Sequence, residues 1–167
     1  MMDRPGLLKA VAPCSLLCYT CFGYKDGAVS YHAGQLFELH KGWYEGHELA
    51  YGDNPSAEQM SKLDSIRTFN EMLKGLMNPT CRGCRECSGR GGGCIAGCII
   101  PQCTQQHGVE YCGDCSEFPC DRNNAIFPPN VLKKWLEGSS SIRENGIESY
   151  FEESRLVAHY IEFYVDR

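Results

Sequence analysis

Several features that would assign this chain to a familiar class of protein are missing from its sequence. No apolar run reaches the roughly 18 residues that a membrane helix requires. The chain carries 16 Lys and Arg against 21 Asp and Glu, a formal charge of −5, so it lacks the basic excess typical of nucleic-acid binding. Residues 7–17 are interrupted by Lys9 and Pro13 and make a poor signal peptide. We therefore expect a cytoplasmic protein with no membrane segment and no nucleic-acid partner.

Cysteine is absent from two long parts of the chain, residues 22–80 and 121–167, and concentrated in the rest. Three of the 12 cysteines form an N-terminal C-x3-C-x2-C trio, and nine lie between Cys81 and Cys120. In a reducing compartment, repeated C-x2-C pairs mark metal sites more often than disulfides, although free or redox-active thiols remain an alternative. The cysteine pattern predicts a metal-binding protein.

Zinc is the metal that the pattern favours. A structural zinc ion takes four thiolates or imidazoles in a tetrahedron, so the N-terminal trio cannot close a site alone. We expect the trio to share a metal with the later segment, which would fold the two parts of the chain together. Two or three zinc ions are predicted. The predicted ligands are Cys14, Cys18, Cys21, Cys81, Cys84, Cys94, Cys98, Cys103, Cys112, Cys115 and Cys120.

An iron–sulfur cluster is the alternative, since thiolate ligands alone do not separate iron from zinc. The N-terminal trio has the spacing of the radical S-adenosylmethionine motif, but Thr20 stands where those enzymes have an aromatic residue. Cys81, Cys84 and Cys87 open like a bacterial ferredoxin run, but the next cysteine, Cys94, comes too late. Cys87 is left outside the predicted ligand set, because it lies outside the cysteine pattern of the family resemblance described below.

The remainder of the chain has helical periodicity. Helices are predicted over about 30–51 and 56–78, then over 129–137 with a break at Gly138, and over 147–164 after Asn145-Gly146. Turn-forming glycines and prolines dominate residues 81–120, where metal is expected to replace a hydrophobic core. We predict a mainly α fold with an irregular, metal-stapled module of the zinc-knuckle or treble-clef type in its middle.

A single domain over residues 1–167 is expected from the length of the chain. It would comprise an N-terminal cysteine cluster (1–28), two helices (29–80), the cysteine-rich module (81–120) and C-terminal helices (121–167). His32, His40 and His47 lie on the apolar side of the first long helix, where hydrogen-bonded core imidazoles are the simpler interpretation. The Arg-Gly tract at residues 88–93 is interpreted as a solvated loop rather than an RNA contact.

The ordered set C-x3-C-x2-C, C-x2-C, C-x4-C and C-x2-C-S-E-F-P-C, beginning at Cys14 and ending at Cys120, carries a family resemblance. It resembles a widespread bacterial and archaeal family of cysteine-rich proteins catalogued as domain of unknown function 3795. The resemblance implies zinc binding and a cytoplasmic prokaryotic protein, and it supplies no catalytic residues. Ser15 is a departure, because the family usually has glycine after the first cysteine.

Two functional hypotheses from different classes follow. The favoured one is a metal-stabilised binding or regulatory module with an unidentified protein partner and no catalytic residues. The competing one is an iron–sulfur electron carrier or a redox accessory protein of anaerobic metabolism. A catalytic zinc keeps an open coordination position beside an acid or base, and the sequence shows no Cys/His/Glu pattern of that kind.

Overall fold

The computed structural model describes residues 2–87, 95, 97–124 and 126–157. This part of the chain is mainly helical, as predicted, and contains two isolated β-bridges but no strand. None of its helices is long and apolar enough to cross a membrane. The helices are α1 (Arg4–Ala10), α2 (Ala28–His40), α3 (Trp43–Tyr51), α4 (Ala57–Met77), α5 (Cys84–Cys87), α6 (Ile100–Gln106) and α7 (Pro129–Ser154), with 3-10 turns at Cys112–Asp114 and Asp121–Asn123.

Helix α1 was not predicted from the sequence. Asp3 caps its first turn by accepting a hydrogen bond from the Gly6 N–H at 2.9 Å, and Pro5 suits the first helical positions. The helix is short because the chain becomes extended at Val11. Its buried face, including Leu7, joins a core cluster with Ile147 and Phe151 of α7. Residues at the two ends of the described chain therefore pack together.

The predicted helix over 30–51 is two helices, so residues 29–80 hold three helices rather than the two expected. Gly42 has a φ of +90°, a conformation that favours glycine, and it separates α2 from α3. Helix α4 confirms the predicted start, since Ser56 and Gln59 form a reciprocal capping box. It ends at Met77, whose carbonyl accepts a hydrogen bond from Ser30 of α2 at 3.3 Å.

The apolar stripe of α2 and α3 is less buried than its periodicity implies. Leu39 and Trp43 are 86% and 52% exposed, whereas Leu63 and Leu73 of α4 are buried. The interpretation of His40 as a core imidazole is confirmed: it is buried and its Nδ1 lies 2.8 Å from Asn70 Oδ1. The Nδ1 of His47 lies 3.0 Å from the carbonyl oxygen of Trp43 in the same helix.

The predicted break at Gly138 is wrong, and the break near Gly146 is confirmed. Helix α7 continues through Gly138, where a β-carbon would stand 2.6 Å from the Ser15 Oγ, so this glycine serves a close approach and not a turn. Gly146 interrupts the helix with a φ of +82° and a ψ of +162°. The described helix ends at Ser154, and most of the predicted extension to residue 164 lies outside the described residues.

The expectation that metal replaces a hydrophobic core in the cysteine segment is wrong. Four cysteines belong to a buried cluster together with the aromatic side chains of Phe118, Phe127 and Trp135. Phe118 and Phe127 both meet Trp135 edge to face. Trp135 of α7 therefore packs between these two rings, beside the buried cysteines. The buried cysteines of the cluster are Cys14, Cys18, Cys21 and Cys112, with Cys84, Cys98, Cys115 and Cys120 packed against them.

Candidate metal centre

The N-terminal cysteine turn meets the later cysteine segment at two places. At the first, the Lys25 N–H donates to the Cys81 carbonyl at 3.0 Å, and the Cys81 N–H donates to the Gly23 carbonyl at 3.1 Å. At the second, the Cys112 N–H donates to the Pro13 carbonyl at 2.8 Å. These backbone hydrogen bonds bring the trio beside the Cys81–Cys84 and Cys112–Cys115 turns, and the expectation that the trio shares a metal with them stays a prediction.

The turn between Cys81 and Cys84 is a knuckle whose geometry depends on Gly83. This residue has a φ of +85°, and its N–H lies 3.4 Å from the Cys81 Sγ. A β-carbon there would also stand 3.3 Å from the ring of Tyr24. Gly83 therefore lets the turn direct an N–H at the Cys81 sulfur, an arrangement that would disperse the charge of a thiolate.

The turn between Cys112 and Cys115 uses its glycine differently. Gly113 does not have a positive φ, but a β-carbon there would stand only 2.2 Å from the Ser139 carbonyl oxygen of α7. The turn is closed by the Cys115 N–H, which donates to the Cys112 carbonyl at 3.1 Å. Gly113 is therefore required because the backbone of α7 lies directly against the turn.

Arg143 of α7 holds this second turn in place. Its Nε donates to the Gly113 carbonyl at 2.6 Å and its Nη1 to the Phe118 carbonyl at 3.0 Å, while Nη2 donates to the Cys115 carbonyl. The guanidinium also lies over the Phe118 ring, 5.0 Å from its centroid. A single planar cation thus satisfies three carbonyls of the segment that carries Cys112, Cys115 and Cys120.

A cavity of about 20 Å³ lies beneath this turn. That volume accommodates about one water molecule or one metal ion. Four of the predicted ligands line it, and they come from α6, the 3-10 turn and the segment that follows the turn. The cysteines are Cys103, Cys112, Cys115 and Cys120, and the other lining residues are Ile100, Thr104, His107, Val109, Phe118, Arg122, Asn123 and Trp135.

Two buried polar atoms of residues that line the cavity have no hydrogen-bond partner among the described residues. They are the Nε1 of Trp135 and the Oδ1 of Asn123, in side chains that are 1% and 3% exposed. The indole N–H is near enough to Cys112 to lower the pKa of that thiol, but its geometry falls short of a hydrogen bond. Buried polar groups are rarely left unsatisfied, so an N–H beside a thiol marks a place where a thiolate would be stabilised.

A second donor stands beside Cys103. The Nη1 of Arg122 lies 3.6 Å from the Cys103 Sγ and 3.0 Å from the His107 Nε2, and its Nη2 donates to Glu117 at 2.6 Å. The structure therefore gathers a cysteine, a histidine and a carboxylate that showed no pattern in the sequence. Cys103 and His107 are one helical turn apart on α6, which is the only sequence signal that could have linked them.

Burial keeps the deepest thiols protonated in the absence of metal. It raises the pKa of Cys112 to about 12; Trp135 opposes this rise, and Cys103, Cys120 and Cys115 add to it. Burial also raises the pKa of Cys14 well above its ordinary value, with added contributions from Cys112, Cys98 and Cys18. A metal that bound these thiols would have to displace their protons.

The remaining described cysteines form a separate group around the N-terminal turn. Tyr24 lies among them: burial raises its pKa to about 12, with further contributions from Asp26, Cys18, Glu86 and Cys81. Cys18 and Cys84 line a second cavity, and none of the four cysteines of the small cavity lines it. The predicted ligands thus divide into the cavity group and an N-terminal group, Cys14, Cys18, Cys21, Cys81, Cys84 and Cys98, with Cys14 adjoining both.

The cavity group fits zinc in number and donor chemistry, but its thiols are not yet in ligand geometry. No three His, Cys, Asp or Glu side chains among the described residues are placed to hold a metal ion. A bound ion would therefore require the thiols to move closer together. Cys94, the side chain of Cys87 and the Arg-Gly tract at 88–93 lie outside the described residues, and their predicted roles are untested.

Comparison with known proteins agrees with the family resemblance of the cysteine pattern. The model of one protein family, described as "Protein of unknown function (DUF3795)", matches residues 10–125. This match includes both groups of predicted ligands and ends two residues beyond the 3-10 turn at Asp121–Asn123. No curated protein and no solved structure matches the chain. Because the match covers more than half of its length, the chain belongs to this family of unknown function.

Proposed function

We propose that this protein binds two or three zinc ions through cysteine thiolates and that the metal has a structural role. The observation that carries the proposal is the cavity of about 20 Å³ on which Cys103, Cys112, Cys115 and Cys120 converge. Four thiolates at about 2.3 Å would complete the tetrahedral coordination of one zinc ion. The N-terminal group would hold at least one more.

The surroundings of the cavity suit a metal held by charged sulfurs. Zinc binding converts protonated thiols to thiolates, and each thiolate is more stable where an N–H group faces it. Trp135 supplies such a donor beside Cys112, and Arg122 supplies a cationic one beside Cys103. With metal bound, both N–H donors would face a thiolate, which is a stronger hydrogen-bond acceptor than a neutral thiol.

A structural role follows from saturated coordination. A catalytic zinc keeps one position open for water or substrate, whereas four thiolates leave none. Zinc would then join the Cys112–Cys120 segment to α6 as a zinc-knuckle or treble-clef-like module. On this basis we propose a cytoplasmic binding or regulatory protein whose partner is another protein, with the metal maintaining the surface that the partner recognises.

Metal analysis of the full chain tests the proposal. The protein would be expressed in medium containing both zinc and iron, purified without oxygen, and examined by elemental analysis and by its visible spectrum. We expect a colourless protein with two or three zinc ions per chain. A brown protein containing iron and acid-labile sulfide would overturn zinc in favour of the iron–sulfur alternative, and a protein with neither metal would overturn both.

A further inference from the structure

A second and larger cavity lies beside Cys18 of the N-terminal trio. It is a cleft of about 300 Å³ between helix α1 and the turn at residues 82–86, which includes the start of α5. This volume is at the lower end of the range of small-molecule sites, roughly 300–1,000 Å³. The lining residues are Pro5, Leu8, Lys9, Val11, Ala12, Cys18, Arg82, Gly83, Cys84, Arg85 and Glu86.

The wall of the cleft is mainly apolar, with charged groups of predominantly one sign. Val11 and Ala12 are almost completely buried, and Leu8 is half-buried beside them. The charged lining residues are three cations, Lys9, Arg82 and Arg85, and one carboxylate, Glu86. A locally cationic cleft on a chain of formal charge −5 would attract anions to one place on an otherwise acidic molecule.

Arg85 gives the cleft a preformed wall. Its Nε donates to the Leu8 carbonyl of α1 at 2.9 Å, and its Nη2 donates to the Glu110 carbonyl at 2.8 Å. The guanidinium also lies over the Tyr111 ring, 4.9 Å from its centroid. These contacts tie the 82–86 turn to α1, so the width of the cleft is set before any ligand arrives.

The other two cations are available to a ligand. Lys9 and Arg82 are exposed at the rim, and neither forms an ion pair within the described part of the chain. Lys9 is in the last turn of α1, and Arg82 precedes Gly83 in the knuckle. Both residues line one cleft of about 300 Å³, a volume that suits a single small molecule better than a polymer.

We propose that this cleft binds a small organic anion. Its acidic group, a carboxylate, sulfonate or phosphate, would lie between Lys9 and Arg82, and its apolar part would pack on Leu8 and Val11. Burial of that apolar part would supply affinity, and the two cations would select for negative charge. Cys18 and Cys84, two of the predicted ligands, also line the cleft, but the proposed contacts of the anion involve neither thiol.

Two fluorescent probes of nearly the same shape test the proposal. Anilinonaphthalene sulfonate has an aromatic body with one negative charge, and N-phenylnaphthylamine has the same body without the charge. Titration of the protein as purified should show saturable binding of one sulfonate probe per chain, at least tenfold tighter than the neutral probe. The difference in affinity should shrink as salt is added, because exposed charges are screened.

Charge-removing variants locate the probe. Lys9→Met and Arg82→Met retain an apolar side chain, and each should weaken sulfonate binding by about tenfold without changing binding of the neutral probe. Lys62→Met, at an exposed position on α4, is the matched control and should bind like the wild type. Circular dichroism and metal content would establish that the variants are folded.

Two outcomes would overturn the proposal. One is equal affinity for the charged and neutral probes, which would make the cleft a nonspecific apolar surface. The other is wild-type sulfonate binding in the Lys9→Met, Arg82→Met double variant. Loss of that binding in Leu39→Ser would then place the probe on the exposed apolar face of α2. The probe titrations measure anion binding and elemental analysis measures metal on the same protein, so failure of this proposal is distinguishable from failure of the metal proposal.

Discussion

Gly113 and Ser139 are in such close contact that a β-carbon on Gly113 would stand 2.2 Å from the Ser139 carbonyl oxygen. Gly113 lies inside the Cys112–Cys115 turn, and Ser139 lies in the middle of α7 and is completely buried. The backbone of a long helix therefore rests on the backbone of a cysteine turn. This contact places Trp135 over the small cavity and Arg143 over the carbonyls of the turn.

Gly113→Ala should be strongly destabilising. The added methyl group would collide with helix backbone, which cannot rotate aside as a side chain can. We therefore expect the free energy of unfolding to fall by about 3 kcal/mol, the upper end of the usual cost of overpacking a core. Urea unfolding followed by circular dichroism measures it. Gly75→Ala is the control, because a β-carbon there meets nothing within 4 Å in the interior of α4. That change should stabilise by about 0.5–1 kcal/mol, and equal effects at the two sites would contradict the contact.

Arg143→Met should loosen the cysteine segment. The variant keeps most of the apolar stem but loses hydrogen bonds to the carbonyls of Gly113, Cys115 and Phe118. We expect the free energy of unfolding to fall by about 2 kcal/mol, since hydrogen bonds from a charged donor are the stronger kind and two of these three are partly buried. Arg155→Met removes only an exposed pair with Glu152 and should change stability by less than about 0.5 kcal/mol. Similar losses in both variants would refute this role for Arg143.

Cys84→Ser and Cys115→Ser should each reduce the zinc content. If the two groups of cysteines hold different ions, each variant loses its own ion and keeps the other. Both should also melt at lower temperature, because metal binding contributes to folding free energy. Removing metal from the wild type with a chelator should lower the melting temperature further than either substitution.

Cys87→Ser is the matched control for these two variants, because Cys87 is outside the predicted ligand set. It should keep the wild-type zinc content and melting temperature. Wild-type metal content and melting behaviour in both Cys84→Ser and Cys115→Ser would remove the basis for structural ligation.

Trp135→Phe should weaken zinc binding while leaving the fold intact. Phenylalanine retains much of the edge-to-face packing with Phe118 and Phe127 but has no N–H to face Cys112. Losing a donor that supports a metal ligand lowers metal affinity by about 10–100-fold, and we expect a loss in that range. Competition with a chromogenic chelator measures the affinity. Trp43→Phe, at a half-exposed position on α3, should have no effect, and an unchanged affinity in Trp135→Phe would show that the indole N–H does not support the metal.

Local features of the fold were readable from the sequence because they depend on neighbouring residues. The capping box of α4 needs only Ser56 and Gln59, three positions apart, and both side chains make the predicted bonds. The break at Gly146 likewise follows from a residue that favours positive φ. Gly138 was wrongly predicted to break the helix, because the constraint on it comes from a residue that is distant in the sequence. Ser15 packs against α7 at this position and leaves no room for a β-carbon.

Ser15, next to the predicted ligand Cys14, is a second residue whose contacts lie far away in the sequence. Its φ of +63° lies in the left-handed region, which favours glycine, so the serine noted above as a departure occupies a position suited to glycine. In this chain the position also receives support from distant residues, since the Tyr150 hydroxyl donates to the Ser15 carbonyl at 2.6 Å and Ser139 Oγ lies 3.4 Å from its Oγ. The departure was visible in the sequence, but the contacts that accompany it were not.

The sequence by itself determined that the chain is mainly helical, that its closely spaced cysteines lie in turn-rich segments, and that the chain belongs with a cysteine-rich family. These properties follow from the spacing of the cysteines and from the periodicity of the apolar residues. Only the tertiary structure decided which cysteines surround the small cavity, which arginines and which tryptophan lie beside them, and which residues line the cationic cleft. The physical reason is that a thiol's neighbours are set by long-range packing of α1 and α7 on the cysteine turns, and nothing in the spacing of cysteines along the chain specifies that packing.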